Sequence, residues 1–347
     1  GSSIPVAPRK GMILLVAFLL GLIFPAGVLY LRFIVNNKVR GRKDIESYTS
    51  LPFLGEIPRY ETQPLRHRLI PKFFRTKVGE RRLRQKERHK NILVFNANER
   101  VVISESFMVV RTNLAYMLHG IKSKGKVIMT TSAIPESGKT FISANFSSCL
   151  ASLEGHRVLL IDADIRKRTL SSDFGRTAGL TSWLVDVDNQ TRLEDIVVKD
   201  SLTKGVDFLP AGILPPNPAE LLMSDRLEEL VAVAREQYDF IIFDTTPIFG
   251  VADASIVDRV ADLTLYVMRV GMQEKAFLPE LEKMYQDKKM RNLCLILNDS
   301  DAKSRKKGYG YGYGYGYGQY GYGYGYGYAQ ERKTQKLGSG LLGKLRK

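Results

Sequence analysis

The sequence Ala133-Ile-Pro-Glu-Ser-Gly-Lys-Thr140 fits the pattern A/G-x4-G-K-[ST] and follows an apolar run, Lys126–Thr131. A helical apolar face, Phe141, Ile142, Ala144, Phe146 and Leu150, comes directly after it. That strand–loop–helix context is what a phosphate-binding loop requires: loop N–H groups and a helix N-terminus turned toward phosphate oxygens. The nucleotide-binding set is therefore Ala133, Pro135, Glu136, Ser137, Gly138, Lys139, Thr140 and Phe141. Lys139 reaches the β- and γ-phosphates, and the Thr140 hydroxyl ligates Mg2+.

Two further apolar runs end in carboxylates. Val158-Leu-Leu-Ile-Asp162-Ala-Asp164-Ile-Arg166 places two on one side of an extended segment, because side chains two apart share a face. Phe240-Ile-Ile-Phe-Asp244-Thr-Thr-Pro247 ends in one. At the C-terminal ends of neighbouring parallel strands, such carboxylates lie beside the phosphate loop. There they hold Mg2+ directly or through water, and one accepts a proton from an attacking hydroxyl. Taken singly, each aspartate is equally a helix cap or a loop residue. A third chemical feature is the run at 308–328, where Tyr309, Tyr311, Tyr313, Tyr315, Tyr317, Tyr320, Tyr322, Tyr324, Tyr326 and Tyr328 alternate with glycine except around Gln319. Glycine gives such a segment reach, and its composition predicts disorder. Its hydroxyls are candidate phosphoacceptors; the competing reading is a self-associating aromatic linker.

The elements that must carry these residues form an alternation. Strand candidates are Lys126–Thr131, Arg157–Ile161, Val206–Leu209, Phe240–Phe243, Leu263–Val270 and Leu293–Leu297, with helical patterns between them. That order predicts an α/β fold, a parallel sheet with helices on both faces. Upstream, Met12 to Leu31 is a run of 20 uncharged, mostly apolar residues, long enough to cross a bilayer as a helix despite Pro25. Arg9 and Lys10 precede it, while Arg32, Lys38, Arg40, Arg42 and Lys43 follow, so the positive-inside bias puts the rest of the chain in the cytoplasm. No small-residue cleavage site supports the alternative of a signal peptide. Gly1-Ser2-Ser3 resembles a cloning remnant, and the chain reads as a fragment lacking an upstream part. The predicted division is 1–11 a periplasmic stub, 12–35 a membrane helix, 36–100 a basic linker, 101–300 the nucleotide-binding domain and 301–347 the tail with its basic end.

Of 347 residues, the net charge of +16 sits mostly in the flanks. Residues 91–300 hold 23 Lys/Arg against 28 Asp/Glu, whereas 59–90 hold 12 against 3. That distribution argues against a nucleic-acid partner and for an anionic membrane surface beside the span, worth ~1 kcal/mol per basic residue there; a solvated linker is the plainer alternative. Cys149 and Cys294 lie in apolar runs, and His67, His89, His119 and His156 are scattered, so neither a disulfide framework nor a His/Cys metal cluster is indicated.

Together the loop at 133–140, Asp-x-Asp-x-Arg at 162–166 and Asp-Thr-Thr-Pro at 244–247 resemble the bacterial tyrosine kinases of capsular and exopolysaccharide synthesis, the BY-kinases. Their fold is related to the MinD/ParA ATPases. Gly212 followed by Pro215-Pro-Asn-Pro-Ala-Glu-Leu-Leu222, Leu51–Pro58 and Asn298 match further stretches of that family. The resemblance implies the second membrane helix and cytosolic kinase part of a polysaccharide co-polymerase at the bacterial inner membrane. It implies ATP and Mg2+ as cofactors, Asp162 as candidate general base, Asp164 and Asp244 with Thr140 as metal organisers, and Asn298 near the adenine. It implies autophosphorylation of tail tyrosines in trans within a homo-oligomeric ring, a cognate phosphotyrosine phosphatase, and coupling to polymerisation and export machinery. The family's oligomerisation motif, Glu-x2-Arg-x2-Arg, retains Glu105 and Arg111, but Met108 replaces the first arginine. The rivals are a MinD/ParA-like assembly ATPase, against which Ile134 stands where those relatives carry a signature lysine, and a non-catalytic membrane scaffold.

Overall fold

The structure, a computed structural model, describes residues 10–35, 37–60, 92–97, 101–174, 177–290 and 292–301. The tyrosine run, the basic end and nearly all of the basic stretch at 59–90 lie outside the described residues.

Seven strands form one sheet: β1 (Phe53–Pro58), β2 (Lys126–Thr131), β3 (Val158–Asp162), β4 (Val206–Leu209), β5 (Phe240–Asp244), β6 (Leu263–Arg269) and β7 (Leu293–Ser300). Their order is β1-β7-β6-β2-β5-β3-β4, and every pairing is parallel. Parallel strands covered on both faces must be apolar on both, which is why these segments read as near-continuous runs rather than alternations. Val127, Met129, Ile241 and Phe243 point into one core layer, while Ile128 and Ile242 point into the other. Helices α3 (Val102–Leu118) and α4 (Lys139–Ala151) supply apolar side chains to the second layer. Helices α8 (Arg226–Gln237) and α10 (Phe277–Gln286) supply the first. Each fully buried Leu, Ile or Phe contributes roughly 1.5–3 kcal/mol of transfer free energy.

Six of the strands fall where the apolar runs placed them, with β3, β5 and β7 reaching into the polar residues that follow. The seventh is a correction. Phe53–Pro58, within the segment read as linker, is an edge strand hydrogen-bonded to β7. Leu54 and Ile57 are fully buried there. The folded unit also takes in Val39, whose N–H donates to the Gln273 carbonyl at 2.8 Å and whose carbonyl accepts from Gly271 N–H at 2.8 Å.

Lys10–Val35 forms a 26-residue helix, α1, with Pro25 inside it. Among the described residues no helix is long and apolar enough to cross a membrane. The chain divides by contact into residues 1–304 and 305–347, the latter outside the described residues.

Candidate active site

Strand β2 stops at Thr131 and the chain turns through the phosphate loop into α4. Gly138 caps that helix in the left-handed region, at φ +92°. A Cβ at this position would lie 2.1 Å from the Asn298 amide nitrogen, so both the dihedral and the close approach require glycine. The loop braces itself through its carbonyls. Ser132 and Ser137 hydroxyls both donate to the Ile134 carbonyl, at 2.7 and 2.9 Å. Asn298 Nδ2 donates to the Ser137 carbonyl at 3.1 Å, and Arg269 Nη1 to the Glu136 carbonyl at 3.0 Å. With these carbonyls engaged, the loop N–H groups are the ones suited to phosphate oxygens.

The sheet order puts β2, β5 and β3 side by side, and Asp162 is the direct register partner of Asp244. Asp244 Oδ2 accepts the Thr140 hydroxyl at 2.7 Å and Oδ1 accepts the Ser143 hydroxyl at 3.2 Å. Asp162 is fully buried; its Oδ2 accepts the Ser171 N–H at 2.9 Å and the Ser171 hydroxyl at 2.6 Å. Its Oδ1 has no hydrogen-bond partner among the described residues. Asp164 Oδ1 accepts the Lys167 N–H at 3.0 Å. The structure thus brings Lys139, Thr140, Asp162, Asp164 and Asp244 together, with Asn298 against the loop.

Electrostatics follow from this burial. Desolvation raises the Asp162 carboxyl to about 7, with the neighbouring charges of Asp244 and Asp164 adding to it and Ser171 opposing. Desolvation likewise raises Asp244 to about 6, against Thr140 and Lys139. Burial lowers the Lys139 ammonium, and Asp244 and Asp164 pull it back up. Two or three carboxylates share one desolvated cation, an arrangement that favours additional positive charge.

Among the described residues no group of three or more His, Cys, Asp or Glu side chains is placed to hold a metal ion by itself. Mg2+ bound with a nucleotide needs less: one or two protein oxygens beside phosphate and water. Thr140, Asp164 and Asp244 offer hard oxygens, and the buried Asp244 carboxylate, register partner of Asp162, is the kind of crowded anionic group that a divalent cation relieves. The residues present therefore fit that ion.

Of the remaining predicted residues, Ala133 is buried while Pro135 and Glu136 are exposed, Glu136 at φ +63°. Phe141 turns its ring toward α3, 6.3 Å from that of Phe107. Arg166 leaves the site and makes a two-pronged ion pair with buried Asp253, at 2.7 and 3.1 Å. Arg111 lies against the C-terminus of α4, donating to the Cys149 carbonyl at 2.9 Å and to Ser152 at 3.1 Å, where a cation complements the helix dipole. Glu105 is exposed. Sequence reasoning missed Ser132, Ser143, Ser171 and Arg269; no spacing marks them, since each bonds to a distant strand or to its own loop.

A phosphate loop at the head of a parallel sheet, with carboxylates on the two strands alongside, defines a P-loop nucleotide-binding protein. The AAA domain family model matches residues 125–272. Tyrosine-protein kinase YwqD of Bacillus subtilis (strain 168) is 39% identical over 197 residues, covering 56% of this chain and 80% of the relative. Tyrosine-protein kinase etk of Escherichia coli (strain K12) is 31% identical over 280 residues, 77% of this chain and 35% of the relative. The solved kinase domain of Escherichia coli tyrosine kinase ETK superposes with a TM-score of 0.60 at 27% identity, covering 80% of this chain and all of that one. On that identity and coverage the chain belongs to the bacterial tyrosine-protein kinases. It spans about a third of the length of the first curated relatives it matches, 34% and 35%.

Proposed function

We propose that this chain is an ATP-dependent protein-tyrosine autokinase that phosphorylates Tyr309–Tyr328 on a neighbouring copy. The observation that carries the reading is the buried pair Asp162–Asp244 beside Lys139 and Thr140, with one Asp162 oxygen unpartnered and turned from its Ser171 anchor.

Lys139 and the loop N–H groups hold the β- and γ-phosphates of ATP. Thr140, Asp164 and Asp244 would hold Mg2+, which supplies charge neutralisation on the phosphate oxygens. The acceptor tyrosine approaches in line with the γ-phosphorus. Its oxygen forms the new bond as the bond to the β-phosphate oxygen breaks, and Asp162 Oδ1 takes the hydroxyl proton. ADP leaves with the charge, and phosphotyrosine remains. Asn298 sits close enough to the loop to flank the base of the nucleotide.

Anchorage by α1 at a bacterial inner membrane, with the kinase facing the cytoplasm and the basic 59–90 stretch on anionic lipid, fits the charge order along the chain. Each phosphate adds about −1.5 to −2 charge, so phosphorylated tails repel one another within a ring and drive its dissociation. A cognate phosphatase permits reassembly, and the cycle couples the kinase to polysaccharide polymerisation and export. Anti-phosphotyrosine detection after adding ATP and Mg2+ tests the core of this reading: signal in the parent, none in Lys139→Met, and none after removal of residues 302–347. Signal that persists in Lys139→Met refutes it.

A further inference from the structure

Among the described residues a single residue, Ser171, hydrogen-bonds the Asp162 carboxylate, and it is not part of any motif in the sequence. Ser171 opens a short 3-10 turn, Ser171–Asp173, nine residues beyond the carboxylate it serves. Both of its polar hydrogens go to the same oxygen: N–H to Asp162 Oδ2 at 2.9 Å and the hydroxyl to Oδ2 at 2.6 Å. The direction of the hydroxyl is fixed from the other side as well. Ser171 Oγ accepts the Ala211 N–H at 2.7 Å, which leaves its hydrogen for the carboxylate.

Ala211 belongs to a rigid stretch. The Gly179 Cα lies so close to the Pro210 carbonyl that a Cβ there would sit 2.1 Å from it. The Gly212 carbonyl accepts Arg168 Nη1 at 3.3 Å, and Leu180 and Thr181 N–H groups donate to Pro210 and Ala211 carbonyls at 2.7 and 3.0 Å. Ser171 therefore joins the carboxylate on β3 to the wall that follows β4. Two donors on Oδ2 fix the rotation of the carboxylate, and the fully buried Oδ1 is the oxygen left without a hydrogen-bond partner among the described residues.

We infer that Ser171 is a positioning residue for phosphoryl transfer, locking the Asp162 carboxylate so that Oδ1 meets the incoming tyrosine hydroxyl. The inference rests on the kinase reading. It separates binding from chemistry, because the hydrogen bonds of Ser171 go to Asp162 and Ala211 and to none of the loop residues 133–140 among the described residues.

The test is steady-state autophosphorylation by the full chain carrying Ser171→Ala, Ser171→Cys or Ser171→Thr, with titration of a fluorescent ADP analogue alongside. Losing a hydrogen bond to a charged, transition-state-aligned group lowers kcat by about 10-fold or more. The expected order of kcat is Thr close to parent, Cys intermediate and Ala lowest, with KM for ATP and ADP-analogue affinity within about twofold of the parent throughout. Parent-like kcat in Ser171→Ala and Ser171→Cys overturns the inference. Equal losses in Ala and Thr, or losses matched by weakened ADP-analogue binding, also overturn it by showing a packing role alone. A parent chain that makes no phosphotyrosine defeats both this inference and the kinase reading, whereas an active parent with an indifferent Ser171 defeats only this one.

Discussion

Burial works against the charged form of Asp162 and Asp244 at the phosphate site, and the consequences are measurable without a turnover assay. Asp162 is raised to about 7 and Asp244 to about 6, desolvation being the largest cause for both. The same groups in an unfolded chain titrate near 4, roughly. The folded state therefore binds these protons more tightly, and the site's contribution to stability declines as pH climbs from about 4 to about 7. Positive charge reverses that penalty. The thermal upshift produced by ATP with Mg2+ should be larger at pH 8 than at pH 5.5; an upshift independent of pH contradicts the assignment. By the same reasoning Asp162→Asn removes a desolvated charge while keeping acceptor geometry for Ser171. That variant should melt higher than the parent at pH 8 yet make no detectable phosphotyrosine. At this scale the sequence was informative wherever chemistry is local. Lys139, Thr140, Asp162, Asp164 and Asp244 were legible because loop, strand end and spacing sit within a few residues of each other. Ser171, Ser143 and Arg269 were not, because a serine or arginine acquires its role only from the strand that folding brings alongside it. Cys149 and Cys294, which lie in apolar runs, are both buried, and burial pushes the Cys149 thiol up to about 12.

Among the elements, β1 was the least legible. Phe-Leu-Gly-Glu-Ile-Pro carries a glycine and a proline, both depleted in strands, and its partner β7 lies some 240 residues away in sequence. Edge position is what makes that proline tolerable. The strand is tied down by Glu282 on α10, whose carboxylate accepts the Thr49 hydroxyl at 2.6 Å, the Ser50 N–H at 2.8 Å and the Ser50 hydroxyl at 2.7 Å. The Thr49 hydrogen bond leads in holding Glu282 down at about 2. A depressed folded value means stability that is present above the unfolded value, near 4.5, and lost as pH falls toward 2. Glu282→Ala should destabilise by about 0.5–1.5 kcal/mol, chiefly through the part-buried Thr49 hydroxyl, since the Ser50 donors are exposed and pass to water. Ile57→Ala, which empties a fully buried site, should cost about 2–5 kcal/mol. Urea unfolding at pH 7 measures both, and values near zero would show that β1 is not an integral part of the sheet. Beyond the sheet edge, Arg59 and Arg269 share Asp299 at 2.7 and 3.0 Å, and Arg269 also holds the phosphate loop. The segment that leaves β1 is thus two side chains from the nucleotide site.

For the whole molecule, the charge order along the chain matters more than its total. A mildly acidic domain lies between basic flanks, and a tail of ten tyrosines is placed next to one of them. Of the residues that match the family's oligomerisation motif, Arg111 is bound to the end of α4 and Glu105 is exposed, with Met108 between them half-buried against the core. Mass photometry before and after ATP with Mg2+ should show the assembly falling in mass as tails are modified; an unchanged mass with fully phosphorylated tails contradicts dissociation by repulsion.

The central claim is transfer between copies, from a nucleotide held by Lys139 to a tail tyrosine. It is tested most directly by mixing a tail-truncated chain, residues 1–301, with a full-length Lys139→Met chain and mapping phosphate by mass spectrometry after adding ATP and Mg2+. The account predicts phosphate on Tyr309–Tyr328 of the Lys139→Met copy when both are present, and none when either is incubated alone. Phosphate on the Lys139→Met chain by itself, or none in the mixture, contradicts it.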